Sequence, residues 1–287
     1  MTLTYDQTGQ GPDVVLLHST VCDRRMWDAH WQALVEAGHR VVRCDFRGFG
    51  DTPPETGPYD DADDVLELLD TLGVERATLI GASYGGRVAL EAAARSPQRV
   101  GGLLLLCPDR PGHRPGPQLV AFAERENELF EAGDIEGAVE LNVSTWLGPQ
   151  ADETVRDAVR RMQRHAFEVQ LAAEKAAEQA AEEAADDAAG ADGADGGAEV
   201  PAAEADSAPE PPGLSRIQAP CFVVSGAHDL EDFRQIAAGL PAELPGARHL
   251  ELPWAGHLPS LERPREITAL MTGFLAEHPA RPTARAS

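Results

Sequence analysis

The segment Gly81-Ala82-Ser83-Tyr84-Gly85 places a serine between two glycines, after a short apolar run and before an alanine-rich stretch. The run predicts a buried strand and the stretch predicts a helix, so the serine falls at a sharp strand-to-helix turn. Side chains two residues to either side of such a turn would collide, and glycines remove the collision. The N–H groups and positive dipole end of the helix point at the same place. The pattern predicts Ser83 as an exposed nucleophile, the alternative being a buried serine in a small-residue turn.

A serine nucleophile needs a base that takes its proton, and histidine suits this role. His257 lies in a glycine-flanked loop after the last predicted strand, where its side chain can turn back over the edge of a sheet. His228 and His18 also end predicted strands, although His18 precedes the serine in the chain. The positions favour His257, with His228 as the closest rival. The other histidines fall on predicted helices, a helix end, a short strand, a proline-rich stretch or the tail: His30, His39, His113, His165, His249 and His278.

The base needs a carboxylate that orients it. Asp229 follows the apolar run 221–225, and Asp109 follows the apolar run 100–106. Asp45 also ends a predicted strand, but the glycines and arginine beside it indicate a structural turn. The sequence favours Asp229 as the acid and keeps Asp109 as its rival.

The elements that must position these residues alternate between strands and helices. Short continuous apolar runs are typical of strands that are buried on both faces of a parallel sheet. From Pro108 to about Gly213 the alternation stops, and three helical patterns follow near 118–132, 134–147 and 152–171. The fold class is therefore α/β, a mostly parallel central sheet flanked by helices with an inserted all-helical cap. The predicted divisions are core at 1–108, cap at 109–213, core at 214–279 and tail at 280–287.

One segment of the predicted cap, residues 172–213, has a composition of its own. It holds twelve acidic residues and one lysine, no aromatic residue, and Val200 as its one aliphatic residue larger than alanine. Alanine and glutamate favour a continuation of the preceding helix to about Asp187. The rest cannot bury enough apolar surface to order itself. We predict a solvated linker that neither contacts substrate nor supports the core.

The net charge of −24 argues against nucleic acid or an anionic membrane surface as a partner. No apolar run approaches the roughly 18 residues of a membrane span, and the first residues show no signal-peptide pattern. We therefore expect a cytoplasmic protein, and the sequence leaves its oligomeric state open. No C-x-x-C pair occurs, and reduced core thiols are expected rather than disulfides or a metal site. The cysteines are Cys22, Cys44, Cys107 and Cys221.

Taken together, these segments resemble the α/β-hydrolase superfamily in its cap-bearing branch. The resemblance covers the chain except the cap interior and residues 172–213, and it includes the chain order serine, aspartate, histidine. Its motifs are specific for the fold and much less specific for substrate. The matching segments are Leu16-Leu17-His18-Ser19-Thr20, Asp45-Phe46-Arg47-Gly48-Phe49-Gly50, Gly81-Ala82-Ser83-Tyr84-Gly85-Gly86, Gly226-Ala227-His228-Asp229 and Ala255-Gly256-His257.

The resemblance implies a catalytic triad of Ser83, Asp229 and His257, with no metal or organic cofactor. It implies an oxyanion hole at the backbone N–H groups of Thr20 and Tyr84. One departure bears on Thr20: the family usually has His-Gly where this chain has His-Ser, although enol-lactonases are among the relatives that carry a serine there.

The reaction that the resemblance implies is acyl transfer to Ser83, with a small-molecule acyl substrate as partner. A carboxylic ester hydrolase is the first expectation, and a lactonase, including an enol-lactonase, is the second. Thioesterase, carbon–carbon bond hydrolase and perhydrolase activities remain open, although Ala82 replaces the asparagine that is common in the carbon–carbon hydrolases. The serine excludes the epoxide hydrolases and haloalkane dehalogenases, whose nucleophile is aspartate. A small-molecule receptor on the same fold is the non-enzymatic alternative.

Overall fold

The computed structural model describes residues 3–55, 57–191 and 213–278. In this part of the chain, seven strands form one sheet in the order β1-β3-β2-β4-β5-β6-β7. Only β1, at one edge, runs antiparallel to its neighbour. The mostly parallel sheet predicted from the apolar runs is confirmed. The strands are β1 (Tyr5–Thr8), β2 (Asp13–Leu17), β3 (Arg40–Cys44), β4 (Ala77–Ala82), β5 (Val100–Leu106), β6 (Cys221–Gly226) and β7 (Arg248–Leu252).

Helices cover both faces of the sheet, so apolar side chains fill both faces of the central strands. In β2, Val15 and Leu17 pack into one core layer, while Val14 and Leu16 pack into the other. This is the alternation of side chains along a strand, with both faces buried. The helices are α1 (Asp28–Glu36), α2 (Asp61–Thr71), α3 (Tyr84–Arg95), α4 (Pro117–Glu131), α5 (Ile135–Trp146), α6 (Glu153–Ala191), α7 (Glu231–Glu243), α8 (Pro259–Glu262) and α9 (Pro264–Glu277).

Between β5 and β6, the regular elements in the described part of the insertion are helices α4, α5 and α6 and a 3₁₀ turn at Leu214–Arg216. The first two have nearly the predicted bounds, but α6 continues to Ala191, beyond the predicted extension to Asp187. Three of the four added residues are alanine, which has the highest helix propensity. The linker predicted beyond this point falls on residues 192–212, and the predicted tail on 280–287; both lie outside the described residues.

Two expectations from composition can be compared with the structure. All four cysteines are buried and free, as expected for reduced core thiols. Within the described parts of the chain, no helix combines the length and the apolar character that crossing a membrane requires.

One buried histidine ties α1 to the C-terminal helices. The Nε2 atom of His30 donates to the carbonyl of Ser260 at 3.1 Å, and its Nδ1 atom lies 2.8 Å from the hydroxyl oxygen of Thr268. Burial disfavours the charged imidazolium and lowers the pKa of His30 to about 4. Histidine in an unfolded chain has a pKa of about 6.5, so His30 binds a proton more readily after unfolding.

We predict that this histidine makes the fold acid-labile. Stability from its neutral form is complete above pH 6.5 and is lost as the pH falls through 6.5 towards 4. At pH 4.5 the loss is about 2.5 kcal/mol. Urea unfolding of the wild type and of His30→Gln at pH 7.5 and 4.5 measures it, because glutamine does not titrate. The stability difference between the two proteins should change by about that amount, and an identical pH dependence in both would contradict the prediction.

Candidate active site

The candidate residues meet at one edge of the sheet because each follows the carboxyl end of a parallel strand. His18 follows β2, Ser83 follows β4, Asp109 lies just after β5, Asp229 follows β6 and His257 follows β7. This edge is where open α/β sheets bind their ligands. The fold therefore brings together residues that are up to 239 positions apart in the sequence, from His18 to His257.

Ser83 has the strained backbone that the glycine spacing predicts, but it is only 5% exposed and lines a cavity rather than lying open to solvent as expected. Its φ of 52° and ψ of −118° lie in a region that residues with side chains rarely adopt. Such strain persists only where the surroundings impose it, and it is concentrated at functional sites. A Cβ atom on Gly81 would lie 2.3 Å from the carbonyl oxygen of Gly85, so the turn requires glycine there.

Gly85 also lets the first turn of α3 pack against the loop after β2. Its N–H donates to the carbonyl of His18 at 3.1 Å. A Cβ atom at this position would lie 2.3 Å from the carbonyl oxygen of Leu17 and 2.6 Å from that of His18. Both obstacles are backbone atoms of a buried strand end, which cannot move aside at small cost.

We predict that Gly85→Ala strongly lowers both stability and activity. The new methyl group must push α3 away from β2, and overpacking of this kind costs about 1–3 kcal/mol or more. The matched control is Gly239→Ala in α7, where a Cβ atom meets nothing within 4 Å and alanine is the better helix former. Thermal unfolding should show a lowered Tm for the first variant and an unchanged or raised Tm for the second. Equal Tm values would show that the close approach at Gly85 is not rigid.

Asp229 and His257 form a buried pair beside the serine. The Nδ1 atom of His257 lies 2.7 Å from Oδ2 of Asp229, and the two side chains are 2% and 0% exposed. The other carboxylate oxygen accepts the N–H of Leu230 at 2.7 Å. Because Nδ1 is engaged by the carboxylate, Nε2 is the nitrogen of His257 that remains for chemistry.

The rival residues have other partners. Asp109 lines the same cavity as the serine, but its carboxylate accepts the N–H of Arg110 at 2.7 Å and approaches Arg87 to 3.7 Å. His228 is exposed. His18 is fully buried, and burial lowers its pKa below the usual range. Of the two candidate carboxylates, Asp229 is therefore the one that contacts a candidate base.

His18 fixes the peptide that precedes Thr20. The N–H of Phe46 donates to Nε2 of His18 at 2.9 Å, so the ring proton resides on Nδ1 and is donated to the carbonyl of Ser19 at 2.8 Å. The N–H of Cys22 donates to the same carbonyl at 2.9 Å. In a planar trans peptide the N–H of Thr20 points opposite to this carbonyl. The two hydrogen bonds to the carbonyl of Ser19 therefore also fix the direction of the Thr20 N–H.

Tyr84 supplies the second predicted donor as the first residue of α3. The first N–H groups of a helix have no partner within the helix. The side chain of Tyr84 is held elsewhere, because its hydroxyl donates to Asp61 at 2.6 Å. The hydrogen bond of the Tyr84 side chain therefore does not involve its backbone N–H.

Ser83 and His257 line a cavity of about 330 Å³ between the sheet edge and the cap. Both predicted oxyanion residues, Thr20 and Tyr84, line it as well. One wall is apolar and the other carries charge. The apolar wall is formed by Leu119, Phe122, Trp146 and Phe233, and the polar wall by Arg87, Asp109, Arg110 and His113.

Two aromatic side chains around His257 have no signal in the sequence. Trp146 ends α5, and its ring centroid lies 4.7 Å from that of His257. Phe233, from α7, lies 4.2 Å away on the same measure. The N–H of His257 also donates to the carbonyl of Trp146 at 2.8 Å. The helical pattern placed Trp146 in the cap, but only tertiary packing brings it to the imidazole.

Cys107 is the other neighbour that sequence spacing missed. Its Sγ atom lies 3.6 Å from the carbonyl oxygen of Gly256, and the ligand atoms of Cys107, Asp229 and His257 all lie within 4.8 Å of one another. Thiolate, carboxylate and imidazole are ligands of zinc. Burial holds the pKa of Cys107 well above its usual range, and Asp229 and His257 already bond each other. The hydrogen bond occupies Nδ1 of His257 and Oδ2 of Asp229, so the structure shows these two groups as a hydrogen-bonded pair.

Comparisons with known proteins agree with this architecture. A Mycobacterium tuberculosis protein whose provisional name is non-heme bromoperoxidase BpoC is 25% identical over 96% of this chain and 98% of its own length. A hydrolase of known structure from Pseudomonas aeruginosa PA01 is 29% identical, with a TM-score of 0.67 over 95% of this chain and 94% of its own. The structure of Est816, described as an N-acyl homoserine lactone degrading enzyme, is 25% identical, with a TM-score of 0.66 over 95% and 96%.

A family model described as the alpha/beta hydrolase family matches residues 14–270, from β2 into the last helix. This range includes the strand-to-helix turn at Ser83, the helical insertion and the loops that carry Asp229 and His257. Of these relatives, one is described as a hydrolase and another as a lactone-degrading enzyme. Each of these two structures matches 95% of this chain. By sequence and by structure, the chain belongs to the alpha/beta hydrolase family.

Proposed function

We propose that this protein is a serine hydrolase that cleaves a small-molecule carboxylic ester through an acyl-enzyme on Ser83. The observation that carries the proposal is the buried 2.7 Å pair of His257 and Asp229, which shares a cavity with a serine at a strained strand-to-helix turn. A nucleophile, a base and a carboxylate that orients the base are the parts that acyl transfer needs.

In the proposed first step, Oγ of Ser83 attacks the acyl carbon while Nε2 of His257 takes the hydroxyl proton. Asp229 holds the proton on Nδ1 and stabilises the imidazolium that forms. The N–H groups of Thr20 and Tyr84 receive the charge that develops on the acyl oxygen, each contributing roughly 3–4 kcal/mol in comparable sites. His257 then donates its proton to the departing alcohol.

In the second step, water attacks the acyl-enzyme with His257 again acting as base, and the acid leaves Ser83 free. No metal or organic cofactor takes part in either step. The cavity of about 330 Å³ lies at the small end of ligand pockets, which run from about 300 to 1,000 Å³. Together with its apolar wall, this size favours esters of short acids.

A lactonase is the second candidate, because a lactone is a cyclic ester and reacts by the same two steps. The likeness to an enzyme described as degrading N-acyl homoserine lactones favours it. In a lactone the leaving alcohol stays attached to the acyl group after the ring opens. The polar wall beside Ser83 would therefore have to hold both the acyl group and the released hydroxyl of one molecule.

A panel of p-nitrophenyl acetate, butyrate and octanoate, run beside acyl homoserine lactones, tests the proposal. We expect hydrolysis of the short esters, with kcat/KM falling as the acyl chain outgrows the cavity. A higher kcat/KM for the lactones would favour the second candidate. Absence of turnover with every ester and lactone, in protein that binds a short ester reversibly, would support the receptor alternative instead.

A further inference from the structure

A hydrogen-bond chain runs from the half-buried Glu126 of helix α4 through Asn142 to the indole of Trp146 in helix α5, which packs on the imidazole of His257. Glu126 of α4 accepts from Nδ2 of Asn142 at 2.5 Å. On the other side, Nε1 of Trp146 donates to Oδ1 of Asn142 at 2.8 Å. The chain thus joins two helices of the insertion to the side chain that packs on His257.

The orientation of each group in this chain is fixed by chemistry. An indole nitrogen only donates, so the atom of Asn142 that faces Trp146 must be the amide oxygen. The amide nitrogen therefore faces Glu126, and it also donates to the carbonyl of Ala138 at 3.0 Å. Asn142 is 2% exposed and does not line the catalytic cavity. A polar group at so buried a position is costly unless its hydrogen bonds are made, so the chain restricts Trp146 to one orientation.

Trp146 transmits that orientation to His257 in two ways. Its indole ring packs at 4.7 Å against the imidazole, tilted by 44°, and its carbonyl accepts the backbone N–H of His257 at 2.8 Å. Phe233 packs on the same imidazole at 4.2 Å, so the ring is enclosed by aromatic side chains. The bond to Asp229 fixes one ring nitrogen, and these two aromatic rings restrict rotation of the imidazole about that bond.

We infer that Asn142, through Trp146, is a positioning residue for His257, so that the cap helices α4 and α5 set the geometry of the catalytic base. The inference rests on the proposed function, because it assigns His257 as the base for Ser83. An alternative role, in which the chain only holds α4 against α5, would affect stability and leave the reactivity of Ser83 unchanged.

The test measures the rate at which a fluorophosphonate labels Ser83, because this rate reports how well His257 activates the serine and requires no natural substrate. Asn142→Leu removes all three hydrogen bonds of this side chain and keeps its branched shape. We expect it to slow labelling about tenfold or more, since a misplacement of about 1 Å can cost 10²-fold in rate. The KM for p-nitrophenyl acetate should stay within about twofold, because Asn142 does not line the cavity.

The rescue variant exchanges the amide and the acid. In Glu126→Gln combined with Asn142→Asp, the new aspartate accepts from both Trp146 and the new glutamine. The bonds to these two side chains are therefore kept, and the bond to the carbonyl of Ala138 is the one that is lost. We expect labelling within about threefold of the wild type. Asn127→Leu is the matched control. Asn127 is exposed on helix α4, next to Glu126, and this variant should be labelled at the wild-type rate.

The inference fails if Asn142→Leu, shown to be folded by thermal unfolding, labels as fast as the wild type. It also fails if the exchange variant is as slow as Asn142→Leu, because the loss would then come from local packing. Failure of the proposed function is a separate result, in which the wild-type protein itself is not labelled at Ser83.

Discussion

Ser83→Ala is expected to abolish ester turnover, with a fall in kcat of roughly 10⁶-fold, the cost of removing the nucleophile in a comparable triad. Without Oγ no acyl-enzyme forms, and the oxyanion donors alone supply only residual catalysis. The substitution keeps the Cβ atom and the strained turn, so the thermal unfolding midpoint should change little. Kinetics with p-nitrophenyl acetate measure the loss.

Ser96→Ala is the matched control for this result. Ser96 directly follows helix α3, at the end opposite to Ser83, and its replacement should leave kcat unchanged. Activity of Ser83→Ala within tenfold of the wild type, with the protein folded, would rule out a serine mechanism. It would direct attention to water activated by His257 as the attacking group.

The second large effect is expected for Asp229→Asn, with a fall in kcat of about 10⁴-fold. An asparagine at this position keeps the shape but can donate to Nδ1, which leaves the imidazole in the wrong tautomer to take the serine proton. Asp109→Asn is the matched comparison, because Asp109 lines the same cavity without a bond to His257. It should cost less than tenfold.

These two variants separate the candidate acids in one assay. A far larger loss for Asp109→Asn than for Asp229→Asn would reassign the acid and leave the serine and histidine in place. Losses of equal size would indicate that Asp109 contacts the substrate. Its carboxylate lies on the polar wall of the cavity, 3.7 Å from Arg87.

Sequence reasoning went furthest where local rules and the fold agree. Apolar runs bounded by turns predicted the strands, and the glycines around Ser83 predicted the strained turn, because only glycine avoids the backbone contacts there. The chain order also placed both candidate acids at the ends of strands. It could not choose between them by geometry, because the choice depends on the order of strands in the sheet. Since β6 lies beside β7, Asp229 is the acid next to the His257 loop.

The features that sequence reasoning missed depend on contacts between distant elements. Trp146 and Phe233 read as ordinary apolar positions of helices, and nothing in their spacing points to the loop of His257. Cys107 reads as a core thiol, which it is, yet it lies beside Asp229. The bonds of Asn142 join two helices that each look complete by periodicity alone. Tertiary packing decides such contacts, and helical or strand periodicity carries no information on them.

The central claim is that Ser83 is the nucleophile that His257 activates. Treatment with a fluorophosphonate, followed by intact-mass measurement and peptide mapping, tests it most directly. The account predicts one adduct per chain, on the peptide that contains Ser83, with none in Ser83→Ala and much slower labelling in His257→Gln. An adduct on any other serine, or wild-type labelling of His257→Gln, would contradict it.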